Sequence, residues 1–329
     1  MRTNSRIVGL LSLLFAGCAV VHAEKSSALD QAYPAKPVHI VEPFGLGGGP
    51  DLLARTLAPK LSELWCQPVT VENHPGAGAT AGPAQVAKSP ADGYTLLINT
   101  SAQAYSAAFL KHLPYDPLKD FISVVPLTSQ PYVLIVGKLV GITTVGELIA
   151  AAKAKPRKLK FGSTGPGTGT HLGVVKFNLS AGINSVDVPP QRTEAIADVV
   201  AGTIEGRTTY VIAPISIVLP HIRDGQLLPL GVTTARRSAL LPHVPTIAEA
   251  GVAGYDFPIW YGIWVPAGTP AAVVDKLSKD IGRVLATPDL RDWIAQHGGE
   301  PMSMTQPEFA RFVQGESESA ARLIRSRNS

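Results

Sequence analysis

The stretch that decides the reading is Val41–Leu61, VEPFGLGGGPDLLARTLAPKL. An apolar run leads into four glycines within Gly45–Gly49, then Pro50 and Asp51, then an amphipathic run. A strand, a glycine turn and a helix start, in that order, expose first-turn amides. Glycine also lets another group approach the backbone closely, so the segment reads as an anion-binding loop. Asp51 stands where an N-cap or first-turn acid belongs. The nucleotide fingerprints do not fit: the third glycine of G-x-G-x-x-G would fall on Pro50, and no Lys-Ser/Thr pair follows the glycines. A glycine-rich turn with a capping aspartate is the plainer reading of the same residues.

A second segment has the same grammar. Phe161–Leu172, FGSTGPGTGTHL, runs from an extended stretch through a Ser/Thr/Gly loop into a helix. It offers the hydroxyls of Ser163, Thr164, Thr168 and Thr170, the glycines Gly165, Gly167 and Gly169, and another helix N-terminus. Two such loops facing each other across a cleft would hold an anionic ligand without an arginine clamp. His171, at the helix start, is expected to pack or hydrogen-bond, with direct ligand contact as the alternative.

The rest of the chain narrows the class. Its 329 residues, 45% hydrophobic and only 16% charged, can bury a sizeable core and exclude disorder. The N-terminus has a basic head, an apolar run from Ile7 to Val21 and the small-residue pattern Val21-His22-Ala23, so residues 1–23 read as a signal peptide. The apolar run is short of the roughly 20 residues that span a bilayer. Phe15-Ala16-Gly17-Cys18 resembles a lipobox and offers lipid anchoring through Cys18 as a variant, although leucine is usual where Phe15 stands. Without Arg2 and Arg6 the chain carries 27 Lys+Arg against 25 Asp+Glu, with no basic cluster, which argues against a nucleic-acid partner. Cys66 would then be the lone cysteine, so no internal disulfide forms. In LWCQPVTVEN it reads as a small buried hydrophobe.

Apolar β-rich runs alternate with helical patterns, which argues for an α/β protein. Strands are expected at Pro37–Phe44, Pro68–Asn73, Tyr94–Thr100, Pro131–Gly137, Leu159–Thr164, Leu227–Thr234 and Ile259–Gly268, and in RTTYVIA around Tyr210. Helices are expected at Asp51–Leu64, with Pro59 a kink or break, and at Thr144–Pro156 and His171–Gly182. A further one, EAIADVVAG, closes on Gly202, and three more fill the C-terminal region. Enzyme signatures are absent. Phe161 occupies the first glycine position of a G-x-S-x-G elbow, and neither H-E-x-x-H nor a Cys/His metal spacing occurs. Glu316 and Glu318 lie on a polar helix and read as solvated. No cofactor and no metal is expected. A secreted serine hydrolase built on Ser163 and His171 is the rival class.

These residues resemble a known family. PFGLGGGPDLLAR is similar to the P-F-x-x-G-G-x-x-D-x-x-A-R signature of the Bug receptors, the extracytoplasmic solute receptors of tripartite tricarboxylate transporters. VENHPGAG resembles their V-x-N-x-P-G-A-G turn, and SPADGYTLL, LPYDPLKDF, STGPGTGTHL, LPHVPTIAEAG and VPAGTP follow in the family's order. The resemblance implies a type II periplasmic binding protein: two α/β lobes around a ligand cleft, joined by crossing strands. Residues 31–131 and 255–329 would form lobe one and 132–254 lobe two.

It implies no catalysis. The chain would be a monomer that delivers a small carboxylate to membrane permease subunits or presents it to a sensor protein. The implied ligand-binding set is Phe44, Gly45, Leu46, Gly47, Gly48, Gly49 and Asp51 on loop one. On loop two it is Ser163, Thr164, Gly165, Gly167, Thr168, Gly169, Thr170 and His171, with Ser101, Tyr210 and Ala213 besides. The family's GQVDLMFDN is here GRTTYVIAP, Gly206–Pro214, which suggests a less polar cleft wall. With Phe44, Trp260 and Tyr261 that raises an aromatic dicarboxylate of phthalate type, unless those aromatics are core.

Overall fold

The structure is a computed structural model that describes residues 33–76, 79–110, 112–188, 197, 199–200 and 208–328. Two compact units divide the chain, Met1–Tyr33 and Pro34–Ser329, and all the elements below belong to the second. The signal peptide and Cys18 lie outside the described residues, as does most of the helix expected to close on Gly202.

Strand β1 (Val38–Glu42) buries Val38, Ile40 and Val41 and pairs in parallel with β2 (Val69–Asn73) and β3 (Thr95–Thr100). Helix α1 (Gly49–Trp65) follows β1, α2 (Ala81–Val86) precedes β3, and α3 (Ala102–Phe109) follows it. Pro59 lies inside α1 and does not end it. The face made by Leu53, Leu57, Leu61 and Trp65 is buried, and that burial outweighs the one ladder hydrogen bond a proline removes.

The expected strand at Pro131–Gly137 is the second half of a longer one, β4 (Phe121–Gly137). Pro126 hid its first half. It sits at an irregularity in the pairing with β9 (Pro258–Pro266), where the register shifts between Pro126 and Ser129, and such a bulge tolerates proline. From Phe121 to Pro131, β4 pairs antiparallel with β9. From Tyr132 onward it pairs with β7 (Tyr210–Pro214) and β8 (Leu227–Val232). One strand therefore runs through two sheet segments. The first holds β1, β2, β3 and β9. The second holds β5 (Lys160–Gly162), β6 (Val186–Val188), β7 and β8.

In the second segment β5 lies parallel between β6 and β7. Helix α4 (Val145–Ala154) precedes β5, α5 (Gly169–Ala181) follows it, and α6 (Ile215–Arg223) follows β7. Helices α7 (Ala271–Leu285), α8 (Pro288–Gln296) and α9 (Gln306–Asn328) complete the chain, with β10 (Glu300–Pro301) pairing with β4. Both glycine loops thus leave the carboxyl ends of parallel strands, where α/β sheets place their crevices.

Two expectations are corrected. Cys66 is exposed, because it caps α1 in the left-handed region (φ 52°), which turns its side chain out of the core. Glu316 is half-buried and accepts hydrogen bonds from Tyr105 Oη (2.6 Å) and Trp260 Nε1 (3.1 Å). Its polar neighbours in sequence gave no hint of the aromatic surface that α9 covers. Glu318 is exposed as expected.

Candidate functional site

Loop one, Pro43–Gly48, is held from below by a buried polar network. Asp51 is 2% exposed, and both its oxygens are occupied. Oδ2 accepts from the Gly47 amide, and Oδ1 from Arg55 Nε and Asn73 Nδ2, each at 2.9 Å. Arg55 also donates to Asn73 Oδ1 (2.7 Å). Beneath them Glu42, fully buried, accepts through Oε2 from the Phe44 amide (2.9 Å) and Asn73 Nδ2 (2.8 Å), while its Oε1 has no partner. Burial pushes the Glu42 carboxyl up to about 7, against the hydrogen bonds from Asn73 and Phe44, which lower it. Three residues of the two sequence motifs, Asp51, Arg55 and Asn73, therefore meet to brace the loop. Gly47 turns the chain with φ +79°, and Leu46 projects into solvent at 77% exposure.

Loop two, Ser163–Thr168, is braced by its own hydroxyls. Thr168 Oγ1 donates to the Gly165 carbonyl (2.6 Å). It must then accept from Thr170 Oγ1 (3.0 Å), which accepts in turn from the Thr164 hydroxyl and amide, each at 2.9 Å. The proton of every threonine hydroxyl in the loop is thus used inside it. The first-turn amides of Gly169 and Thr170 have no intrahelical carbonyl to reach, and the same holds for Gly49 and Asp51 at the start of α1. The Ser163 hydroxyl accepts from the Gly165 amide (3.3 Å), so its own proton is free. What both loops offer a ligand is backbone N–H at helix N-termini, a carboxylate-binding chemistry.

A tyrosine from a crossing strand lies under each helix start. At Gly49 a methyl group would run into the hydroxyl of Tyr261 on β9; at Gly169 it would run into that of Tyr132 on β4. Glycine is required at both positions for that reason. Tyr261 Oη accepts from Gln130 Nε2. Ser101, at the start of α3, is fully buried and lies 3.3 Å from where a Gly169 methyl would sit. Its Oγ makes no well-formed hydrogen bond, although it is near enough to Tyr132 and Tyr105 to offset part of the rise in their pKa values. Burial raises both tyrosines well above the ordinary phenol range.

The remaining residues fall elsewhere. His171 is buried, with Nε2 3.2 Å from Asp187 Oδ2 and its ring edge-on to Phe109. Tyr210 hydrogen-bonds Asn178 (2.8 Å) and Ser185 (2.6 Å) beneath α5, and Ala213 packs on the opposite face of β7 with Val133, Val211 and Val218. Trp260 packs among Trp264, Phe309 and Phe312 under α9. Phe44 is half-buried on loop one. Among the described residues no group of His, Cys, Asp and Glu is placed to hold a metal ion. Sequence reasoning missed Tyr132, Gln130, Ser216 and Glu42, since nothing local marks a residue that meets the loops only through the sheet.

Comparison with known proteins gives the family. Residues 53–329 match the family described as "Tripartite tricarboxylate transporter family receptor". A UPF0065 protein of Pseudomonas sp., from the tcbD-tcbE intergenic region, is 33% identical over 315 residues, covering 94% of this chain and 93% of its own. BugT of Bordetella pertussis is 31% identical over 297 residues, covering 89% of this chain and 90% of its own. Among solved structures, R. palustris Rpa4515 with adipate gives a TM-score of 0.82 at 32% identity, covering 89% of this chain and 98% of that one. MatC from Rhodopseudomonas palustris with bound malate gives 0.81 at 27% identity, covering 89% and 100%. The fold is that of the periplasmic binding proteins, and the chain belongs to the tripartite tricarboxylate transporter receptor family, the Bug receptors, whose members bind and do not catalyse.

Proposed function

We propose that this chain captures a small dicarboxylate between loop one and loop two and delivers it to the membrane subunits of a tripartite transporter. The observation that carries the reading is the pair of glycine-started helices, α1 and α5, each presenting unpaired first-turn amides above a buried tyrosine hydroxyl. The adipate and malate held by two relatives support a diacid. An aliphatic diacid is favoured over an aromatic one, because Trp260 and Tyr210, two of the aromatics that suggested a ring, are engaged in the core.

In this reading residues 31–131 and 255–329 form one lobe and 132–254 the other, with β4 and the Tyr255–Pro258 return as the crossings. Residues 1–23 direct export to the periplasm. The test is a thermal-shift panel of aliphatic and aromatic mono- and dicarboxylates. A ligand at 100 times its Kd adds roughly 2.7 kcal/mol to the native state, so a binder is readily seen. Silence from every acid in calorimetry, on protein stripped of ligand by unfolding and refolding, would sink the carboxylate reading.

A further inference from the structure

We infer that Tyr261, Gln130 and Ser216 form a second corner of the cleft that takes the far carboxylate of the ligand; this rests on the dicarboxylate reading above. A recess of about 20 Å³ beside the α1 N-terminus has the polar groups of Thr128, Gln130, Ser216 and Tyr261 on one side and the apolar Leu52, Leu53 and Ile294 on the other. That admits a water-sized group, such as a carboxylate oxygen.

The protons in the recess all point to an acceptor as its occupant. Gln130 Nε2 is a donor, so Tyr261 Oη accepts from it. Ser216 Oγ lies 3.5 Å from the same nitrogen and also hydrogen-bonds the Tyr261 phenol, so one proton of that hydroxyl pair is used between them and the other is left to give. Thr128, 4% exposed, adds its hydroxyl to the lining. The Gly49 amide is a first-turn N–H without an intrahelical acceptor. No acid lines the recess, and Glu42 is close enough for its charge to act on the Tyr261 phenol. His297 donates Nδ1–H to the Trp293 carbonyl (2.7 Å), and its ring stacks on Trp293 at 3.9 Å, making a flat wall.

The corner also has a counterpart. Gly49 on the first sheet segment meets Ser216 on the second through Tyr261. Gly169 on the second segment meets Ser101 on the first through Tyr132, and there Ser101 Oγ is buried without a well-formed hydrogen bond. Each corner joins a glycine helix start to a serine from the other segment, with a phenol between them. A monoacid can fill one corner, whereas a diacid can fill both.

The experiment compares adipate with hexanoate, its six-carbon monoacid, by calorimetry on the purified full chain and on Ser216→Ala and Tyr261→Phe. Loss of one hydrogen bond to a charged oxygen should lower the adipate-to-hexanoate affinity ratio about tenfold in each variant. Ser216 is half-buried at a helix start, so its variant decides the matter even where Tyr261→Phe does not fold. An unchanged ratio in Ser216→Ala overturns the corner and leaves the receptor reading intact. A wild-type chain that binds hexanoate as tightly as adipate overturns the corner, and one silent toward every acid of the panel above overturns both.

Discussion

Replacing Glu42 with Gln tests the brace beneath loop one. The Glu42 carboxyl is fully buried, with Oε2 occupied by Asn73 and Phe44 and Oε1 unpartnered, and its pKa rises from an ordinary 4.5 to about 7. Between those two values the unfolded chain has lost its proton while the folded one keeps it. Stability therefore falls as pH rises through that window and levels off above it. A shift of about 2.5 units at 1.36 kcal/mol each makes the loss about 3 kcal/mol. Glutamine imitates the protonated acid: its oxygen can accept from Asn73 and Phe44, and its amide takes the place of the acid proton. Urea denaturation of wild type and Glu42→Gln at pH 5 and pH 8 measures the effect. The variant should exceed wild type by about 1 kcal/mol at pH 5 and by about 3 kcal/mol at pH 8. Parallel pH profiles for the two proteins would refute the reasoning, because the carboxyl would then ionise as readily folded as unfolded.

Three further outcomes follow from the packing. Gly169→Ala should cost about 1–3 kcal/mol by driving a methyl into the Tyr132 hydroxyl, and Gly169→Ala with Tyr132→Phe should recover much of it; thermal melts that show no rescue would place the clash elsewhere. Glu316→Ala leaves the Tyr105 hydroxyl and the Trp260 indole without an acceptor and should cost about 1–3 kcal/mol, with a change in the near-UV circular dichroism of Trp260; an unchanged melt and spectrum would deny the contact. Cys66 should react with a thiol reagent in the native state as fast as in urea, and strong native protection would contradict its left-handed, exposed position.

Much of the fold was legible because local signals agreed. The strand runs at Val38–Glu42 and Thr95–Thr100 and the helix that starts at Gly49 carry their own periodicity and turn chemistry. The first half of β4 was not legible, since Pro126 reads as a breaker unless the bulge that absorbs it is known. Helices α3 and α6 were missed as well. They are short, and α6 has Pro220 inside it, so their amphipathic patterns are brief.

The sequence by itself determined the two glycine loops that open onto helix N-termini, because glycine freedom and helix starts are properties of a few adjacent residues. It did not determine what the loops leave available. Thr164, Thr168 and Thr170 read as ligand hydroxyls, yet their protons close on one another and on the Gly165 carbonyl. Asp51 reads as a cap or a contact, yet it is engaged by Gly47, Arg55 and Asn73. Hydrogen-bond partners across 22 residues or more, like the meeting of Gly49 with Tyr261 and of Gly169 with Tyr132, depend on strand register and crossing. Only the tertiary structure decides those, because register is set by the burial of whole sheet faces and not by any one segment.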